Sequence, residues 1–426
     1  MRDTLPTIAT DRLAVGLYVH LDLGWLDHPF TFNNFKILSK DQIDAIRSLG
    51  LKQVRYDPDR SDVVPPAAPN QTPQAALATP AASQASVQAQ EAKRRRVEKN
   101  RRLREKIAVC EKEFVKAASV VKNISRNLLS NPKAAIEGAR QLTDQLVESL
   151  LADRDVAIHL MNDKIAGEEV YYHALNVAML AAMVGKGMGM DAAAVKVVSL
   201  GALFHDIGKL DIPDKILLKK EQLTHAELDF LRQHCAYGIE LGQRVGLPAE
   251  VIAVIAQHHE AIDGSGYPAG LTGDRISLAA RVVAVVNVYD NLCNPVNIAS
   301  AITPHEALSL MFAKQRAQHD ALALGKLVHM LGVYPPGSVV RLSNDMIGMV
   351  LSVNTAKPLR PLVMVYDAAV PRHEAISIDL EDEPEINIGK SLRPAQLPRQ
   401  IFEYLSPRRR TTYYFDAADG GAPPGV

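Results

Sequence analysis

Apolar positions recur with a helical period through the middle of the chain and with a strand-like texture at its two ends. From about residue 106 to 330, long 3.6-residue periods such as AAIEGARQLTDQLVESLL and LNVAMLAAMVGKGMG are separated by short breaks. They predict an all-α bundle, and no alternation of strands with helices there suggests a βαβ sheet. One of these helices opens with a capping box, Thr224 and Glu227 in LTHAELDFLRQH. Residues 1–60 predict a small α+β module. RLAVGLYVHLDLGW reads as a strand with a turn at Gly24. SKDQIDAIRSLG reads as a helix capped by Ser39, with Ile43, Ile46 and Leu49 as its apolar stripe and Gly50 closing it, and LKQVRYD returns as a strand. Beyond residue 335, GSVVRLSNDMIGMVLSVN, RPLVMVYD and HEAISIDL are β-branched runs divided by turn residues, and they predict a small β-rich module over 335–415. The expected fold class is therefore mainly α, a helical bundle with a small module at each end.

Two segments lack an apolar face. Residues 61–92, rich in Pro, Ala, Gln and Ser, predict a disordered linker, and the tail DAADGGAPPGV over 416–426 predicts disorder. Between linker and bundle, KRRRVEKNRRLREK over 93–106 is basic. Its plain reading is the solvated start of a long helix with Val97, Leu103, Ile107 and Phe114 as a narrow seam. The alternative is a patch for nucleic acid or acidic lipid. A basic helix start opposes its own dipole, so this end frays or takes an acidic partner. It is also a candidate for dimerisation or for docking the N-terminal module.

Composition narrows the picture. A chain of 426 residues exceeds one ordinary core, and 47% hydrophobic residues suffice for two or three. The 48 basic and 48 acidic residues cancel, which gives no global attraction to nucleic acid or membrane. Cys110, Cys235 and Cys293 are odd in number and far apart, which argues against a disulfide framework and for a reducing compartment. The N-terminus does not read as a signal peptide, and no run is long enough to span a membrane, so the expectation is a cytoplasmic protein.

The central region collects metal-ligand residue types. Glu169 and His173 stand four apart, on one helix face. His205 and Asp206 are adjacent and cannot point the same way on a helix, so they suit two metals with the carboxylate between them. Lys209 lies one turn beyond His205. His234 follows the capped helix, and His258 and His259 form a second adjacent pair. Five histidines and two carboxylates exceed one tetrahedral zinc site and fit a site of two or three Fe, Mn or Zn ions. Divalent cations lower the pKa of a bound water and neutralise phosphoryl oxygens, which is the chemistry of phosphodiester hydrolysis. His20, His28, His159, His225 and His329 stand apart from this cluster and read as packing or exposed residues.

HDIGKLDIPDKIL, LTHAELDFLRQH and HHEAIDGSGYPAGLTGDRISLAARVVAVVNVYD together resemble the HD-GYP family of cyclic di-GMP phosphodiesterases, over about residues 165–320. LAVGLYVHLDLGWLDHPFTFNNFKI resembles the small module often found before such domains. Its Trp25, Phe30 and Phe32 read as module core, with a docking surface as the alternative. The resemblance implies Glu169, His173, His205, Asp206, His234, His258, His259 and Asn287 as metal positions. It implies two or three ions, Fe or Mn first, with Zn, Mg or Ni as alternatives. Asp206 and Lys209 would be catalytic, Lys209 on a substrate phosphate. The loop of Asp263, Gly264, Gly266, Tyr267 and Pro268 would shape the entrance and offer a surface to a diguanylate cyclase or another protein. The implied substrate is cyclic di-GMP and the implied product pGpG or GMP. Three positions depart from the family pattern. Asn287 stands where an aspartate ligand is usual, with Asp290 or water to compensate. Val296 lies near the place of a phosphate-gripping arginine, and Ala261 replaces a larger residue. These departures leave a second reading open, a catalytically impaired module that binds a nucleotide or a partner as a scaffold.

Overall fold

The computed structural model describes residues 5–23, 28–30, 33–65, 80–152, 157–160, 169–297, 300–368, 370–372, 375–406 and 413–416. The expectations for Gly24, Trp25, Phe32, residues 66–79 and the tail from 417 lie outside the described residues, as does the side chain of Glu169. The chain forms two compact units, residues 1–105 with 367–376, and residues 106–366 with 377–426.

In the first unit β1 (Thr7–Ala9), β2 (Tyr18–His20), β3 (Asn34–Lys36), α1 (Lys40–Ser48) and β4 (Gln53–Asp57) build an antiparallel sheet in the order β1-β4-β2-β3. Ser39 caps α1 by accepting from the Gln42 amide, and Ile43 and Ile46 are buried beneath it with Leu17, Val19, Ile37 and Val54. Phe30 packs on Phe35 at 4.5 Å, beside that core. His28 is a packing residue whose Nε2 meets Asn33 Oδ1 at 2.9 Å.

Helix α2 (Pro80–Asn127) begins inside the segment expected to be a disordered linker. Its first turns are rich in Ala and Gln, strong helix formers, and Pro80 sits at the first position, where its missing N–H costs nothing. The composition that signals disorder in isolation is therefore helical when joined to a long helix with a buried seam of Cys110, Phe114, Ala117, Val121, Ile124 and Leu128.

The second unit continues with α3 (Pro132–Ala152), β5 (Ala157–Leu160), α4 (Glu169–Gly187), α5 (Ala192–Phe204), α6 (Asp214–Leu217), α7 (His225–Arg232), α8 (His234–Val245), α9 (Ala249–Gln257), α10 (Leu278–Cys293), α11 (Pro304–Ala313) and α12 (Ala321–Leu331). Apolar α4 and α5 lie at its centre, with Val177, Ala178, Leu180 and Val184 facing Val195, Val198 and Ala202 in one core. The end of the chain adds β6 (Val339–Leu342), β7 (Ile347–Asn354), β8 (Leu362–Val365), β9 (Ser377–Asp379), β10 (Ile388–Leu392), α13 (Arg399–Leu405) and β11 (Tyr413–Asp416). These strands form an antiparallel sheet that also recruits β5, which pairs with β7 and with β11. Strand β5 is a departure from the helical reading of the central region. Four residues are too few to carry a period, and their pairing partners lie about 195 and about 255 positions away.

Candidate functional site

Three histidines occupy equivalent places at helix ends. His205 caps the C-terminus of α5, His258 that of α9, and His234 stands at the junction of α7 and α8. The last carbonyls of a helix have no partner within it. Each of these imidazoles returns Nδ1 to the carbonyl three residues back: His205 to Ala202 at 2.6 Å, His234 to Leu231 at 2.7 Å and His258 to Ile255 at 2.8 Å. A carbonyl only accepts, so Nδ1 carries the proton and Nε2 presents its lone pair inward.

The Nε2 atoms converge on Asp206. Its Oδ2 lies 3.3 Å from His205 Nε2 and 3.6 Å from His173 Nε2, and its Oδ1 lies 3.5 Å from His234 Nε2 and 3.6 Å from His258 Nε2. Two donor groups result, His173–His205–Asp206 and Asp206–His234–His258–His259, with the donor atoms of each group within 4.8 Å of one another. The carboxylate is common to both. Asp206 Oδ1 is buried and takes no hydrogen bond among the described residues, although a buried anionic oxygen is costly to leave unmatched. His173 and His205 bring their Nε2 atoms to 3.1 Å, and His234 and His258 bring theirs to 3.3 Å. Lone pairs gathered around a carboxylate whose Oδ1 is unmatched suit divalent cations, which His173, His205, Asp206, His234, His258 and His259 would hold.

The protonation states of three of the histidines agree with that use. Burial holds His234, His258 and His259 below the ordinary histidine range, with His258 at about 4, so these rings are neutral and able to ligate. Burial opposes charge on His173 too, but the Asp206 and Asp290 carboxylates outweigh it and raise the ring to about 9, so near neutral pH this ring must give up a proton to ligate. For Asp206 burial favours the neutral acid, yet Lys209 and His205 hold the group well below the usual carboxylate range. Lys209 Nζ sits 2.5 Å from Asp206 Oδ2. Burial pushes the Cys235 thiol up to about 12, so the cysteine beside His234 stays protonated and is no nucleophile.

The HD turn is set by close backbone packing. A Cβ on Gly208 would lie 1.9 Å from the His234 carbonyl oxygen and 2.4 Å from the Gly238 nitrogen, so only glycine lets the turn after Asp206 press against α8. The loop after His259 is equally tight. A Cβ on Gly266 would meet the Ala261 nitrogen at 2.2 Å, and Gly264 has φ +84°. Asp263 Oδ1 takes the Ser265 amide at 2.9 Å and its hydroxyl at 2.6 Å. Tyr267 precedes Pro268 and stacks on His259, ring centroids 4.5 Å apart, with the Arg232 guanidinium 5.2 Å from the Tyr267 ring centre.

Sequence reasoning singled out His173, His205, Asp206, Lys209, His234, His258, His259 and the loop, and the fold brings these together. Glu169 opens α4, its side chain outside the described residues. Asn287 is buried on α10, its Oδ1 accepting from Asn291 Nδ2 at 2.8 Å. Asp290 does not stand in for it. Its Oδ2 faces His173 Nδ1 at 2.5 Å, so it orients that ring from behind. Val296 is 54% exposed. Three contributors went unnoticed. Glu260 is buried and accepts from the Ala269 and Leu271 amides at 2.7 and 2.8 Å, which clasps the loop. Asn176 and Asn294 both donate to Asp290 Oδ1. A signal existed for Asn176, a polar residue three positions after His173 in an otherwise apolar run.

An α-helical bundle with a histidine–aspartate cluster at its helix ends defines the class: the HD domain family matches residues 145–321, which include every clustered side chain. A domain of unknown function, DUF3391, matches 5–139, and a KOW domain associated with HD domain matches 339–400. The chain thus carries an HD domain, and its His205–Asp206 pair and Gly266–Tyr267–Pro268 loop fit the HD-GYP family. HD-domain phosphohydrolases are metal-dependent, and the His/Asp cluster is of a kind that holds such ions. The chain is 28% identical over 425 residues, 98% of itself and 99% of the relative, to cyclic di-GMP phosphodiesterase PA4108 of Pseudomonas aeruginosa. It is 37% identical over 152 residues, 35% of itself and 40% of the relative, to the cyclic di-GMP phosphodiesterase response regulator RpfG of Xanthomonas campestris pv. campestris. Bd1817, a HDGYP protein from Bdellovibrio bacteriovorus, superposes with a TM-score of 0.42 at 14% identity, over 76% of this chain and 98% of that one. No helix among the described residues is long and apolar enough to cross a membrane.

Proposed function

We propose that this protein is a metal-dependent phosphodiesterase that hydrolyses cyclic di-GMP to pGpG or GMP. The observation that carries the reading is Asp206, whose two oxygens each face a separate set of imidazole nitrogens. That arrangement suits two or three divalent ions, Fe or Mn first, with Zn, Mg or Ni as alternatives, and with Glu169 and Asn287 as further candidate ligands. The chemistry supplied by bound ions is neutralisation of phosphoryl charge and activation of water near neutral pH. The residues of the chain do the rest. Carbonyl-anchored His205, His234 and His258 hold rigid donor directions, and Asp290 does the same for His173. Lys209 places a cation beside the carboxylate, within reach of a substrate phosphate. Tyr267, stacked on His259 and with the Arg232 guanidinium 5.2 Å from its ring centre, fixes the loop beside the cluster. The 28% identity along the full length to a phosphodiesterase of that substrate supports the same reading. The site works in the cytoplasm, and the loop offers a surface to a diguanylate cyclase.

One observation favours a second reading, a binding module without turnover. Asn287 is a neutral amide whose oxygen is already engaged by Asn291, so it contributes no charge to the site. Metal content and cyclic di-GMP hydrolysis of the anaerobically purified protein, wild type beside Asn287→Asp, separate the two. Turnover by the wild type with about two ions bound is the expected result. A metallated but inert wild type that gains turnover on Asn287→Asp establishes the binding module instead.

A further inference from the structure

Behind the cluster, away from its open side, a chain of hydrogen bonds leads from His173 to the last strand of the protein. Asp290 Oδ2 meets His173 Nδ1 at 2.5 Å. Asp290 Oδ1 is taken up by two amides, Asn294 Nδ2 at 2.9 Å and Asn176 Nδ2. Asn176 in turn accepts the backbone N–H of Tyr413 on its Oδ1 at 3.0 Å. All of these side chains except His173 and Asn294 are essentially excluded from solvent, with Asn176 and Asp290 at 1% exposure and Tyr413 at 0%.

The direction of the chain is dictated at its far end. A side-chain amide presents either its oxygen or its nitrogen to a neighbour, and a buried amide with no fixed partner can turn over. A backbone N–H only donates. The Tyr413 amide therefore holds the Asn176 oxygen toward the strand and its nitrogen toward Asp290. Turned over, Asn176 would point an oxygen at a buried carboxylate. With both donors on Oδ1, the Asp290 carboxylate keeps its Oδ2 for His173, whose Nε2 then faces His205 and Asp206. Strand β11 is itself fixed in register, with Tyr413 opposite Leu160 on β5 and the Tyr413 hydroxyl 2.7 Å from the Tyr289 hydroxyl on α10.

On the metal-centre reading above, we infer that the C-terminal strand is part of the metal centre: the Tyr413 N–H sets Asn176, and Asn176 is a positioning residue that sets His173 through Asp290. Residue 413 lies 237 positions from Asn176 and outside the matched HD domain, so the HD bundle is incomplete without the strand that returns to it.

The test is equilibrium metal binding by the full chain. Mn2+ and Co2+ affinity is measured by competition with a chelating dye, the Co2+ absorption spectrum is recorded, and the melting temperature of the metal-free protein is followed alongside. Asn176→Asp keeps the shape and the acceptor for Tyr413 but loses the donor to Asp290. Its affinity is expected to fall by about 10- to 100-fold, as for other losses behind a metal-bound histidine, with a changed Co2+ spectrum. Asp290→Asn, which breaks the next link, is expected to show the same loss and the same spectral change. A merely structural role for Asn176 would lower the melting temperature and leave the affinity and spectrum of the folded fraction at wild-type values, and that result overturns the inference. A wild type that binds neither ion overturns both the inference and the metal-centre reading. Wild-type binding with undiminished binding by both variants overturns the inference alone.

Discussion

A histidine at the end of a helix has a carbonyl within reach that the helix leaves unpaired, and His205, His234 and His258 each use one. That bond fixes ring angle and tautomer without a dedicated partner, so three of the five clustered imidazoles are preorganised by their place in the chain alone. Asp206 is the residue on which everything converges. Asp206→Asn keeps the volume but removes the charge that Lys209 and the ions answer, and one of its two inward atoms becomes a donor. We expect metal affinity and hydrolysis each to fall by at least about 100-fold, more than losses behind the ligands cost, measured by metal analysis and initial rates. Much of this scale was legible in advance. Adjacent His205 and Asp206 marked the carboxylate at the centre of the cluster, but the expectation that neighbours cannot face one ion fails, because both stand past the end of α5 and belong to the same donor group with His173. What Asp290 does was not legible, since nothing in VYDNLC says whether its carboxylate faces an ion or the back of His173.

At the scale of elements, small residues decide where helices meet. Gly208 lets the turn after Asp206 touch α8 backbone to backbone. A methyl there has no flexible neighbour to displace, so Gly208→Ala should cost about 3 kcal/mol, at the upper end of overpacking, read as a lower denaturation midpoint together with loss of bound metal. The capping box of α7 is a milder device. Thr224 accepts from the Glu227 amide, and Glu227 reaches back to the Thr224 amide and to Lys219. Hydrogen bonds from Lys219 and Thr224 depress the Glu227 pKa from 4.5 to about 2. A depressed carboxylate stabilises the fold above its unfolded pKa and loses that contribution as pH falls through the folded one. The stability gap between wild type and Glu227→Gln should therefore be full at neutral pH, shrink below pH 4.5 and close near pH 2, as thermal melts across that range would show. Thr224 with Glu227, and Ser39 with its apolar stripe, were readable because caps are local. Helix α2 reaching back to Pro80 was not, because Ala- and Gln-rich sequence is helical or disordered according to what it is attached to.

For the whole molecule, the ligand set spans α4, the turn after α5, the α7–α8 junction and the end of α9, so ions held there tie together segments from His173 to His259. Binding to the folded state alone adds about 4 kcal/mol at about a thousandfold excess over Kd. At roughly 2–4 °C per kcal/mol for a domain of roughly this size, metal loading should raise Tm by roughly ten degrees and a chelator should reverse it. Unchanged melting on metal removal would mean that the cluster holds no ion in the native protein. By itself the sequence determined what is local: the helical period of the bundle, the caps, the turn glycines, and the residue types and spacings that mark a metal centre. Only the tertiary structure decided that β5 joins a sheet with β7 and β11, that Glu260 clasps the loop, and that a backbone amide at Tyr413 reaches Asn176. The physical reason is the same in each case. These are single hydrogen bonds and short pairings with a backbone group on at least one side, which every residue carries, and they leave no pattern in the order of side chains.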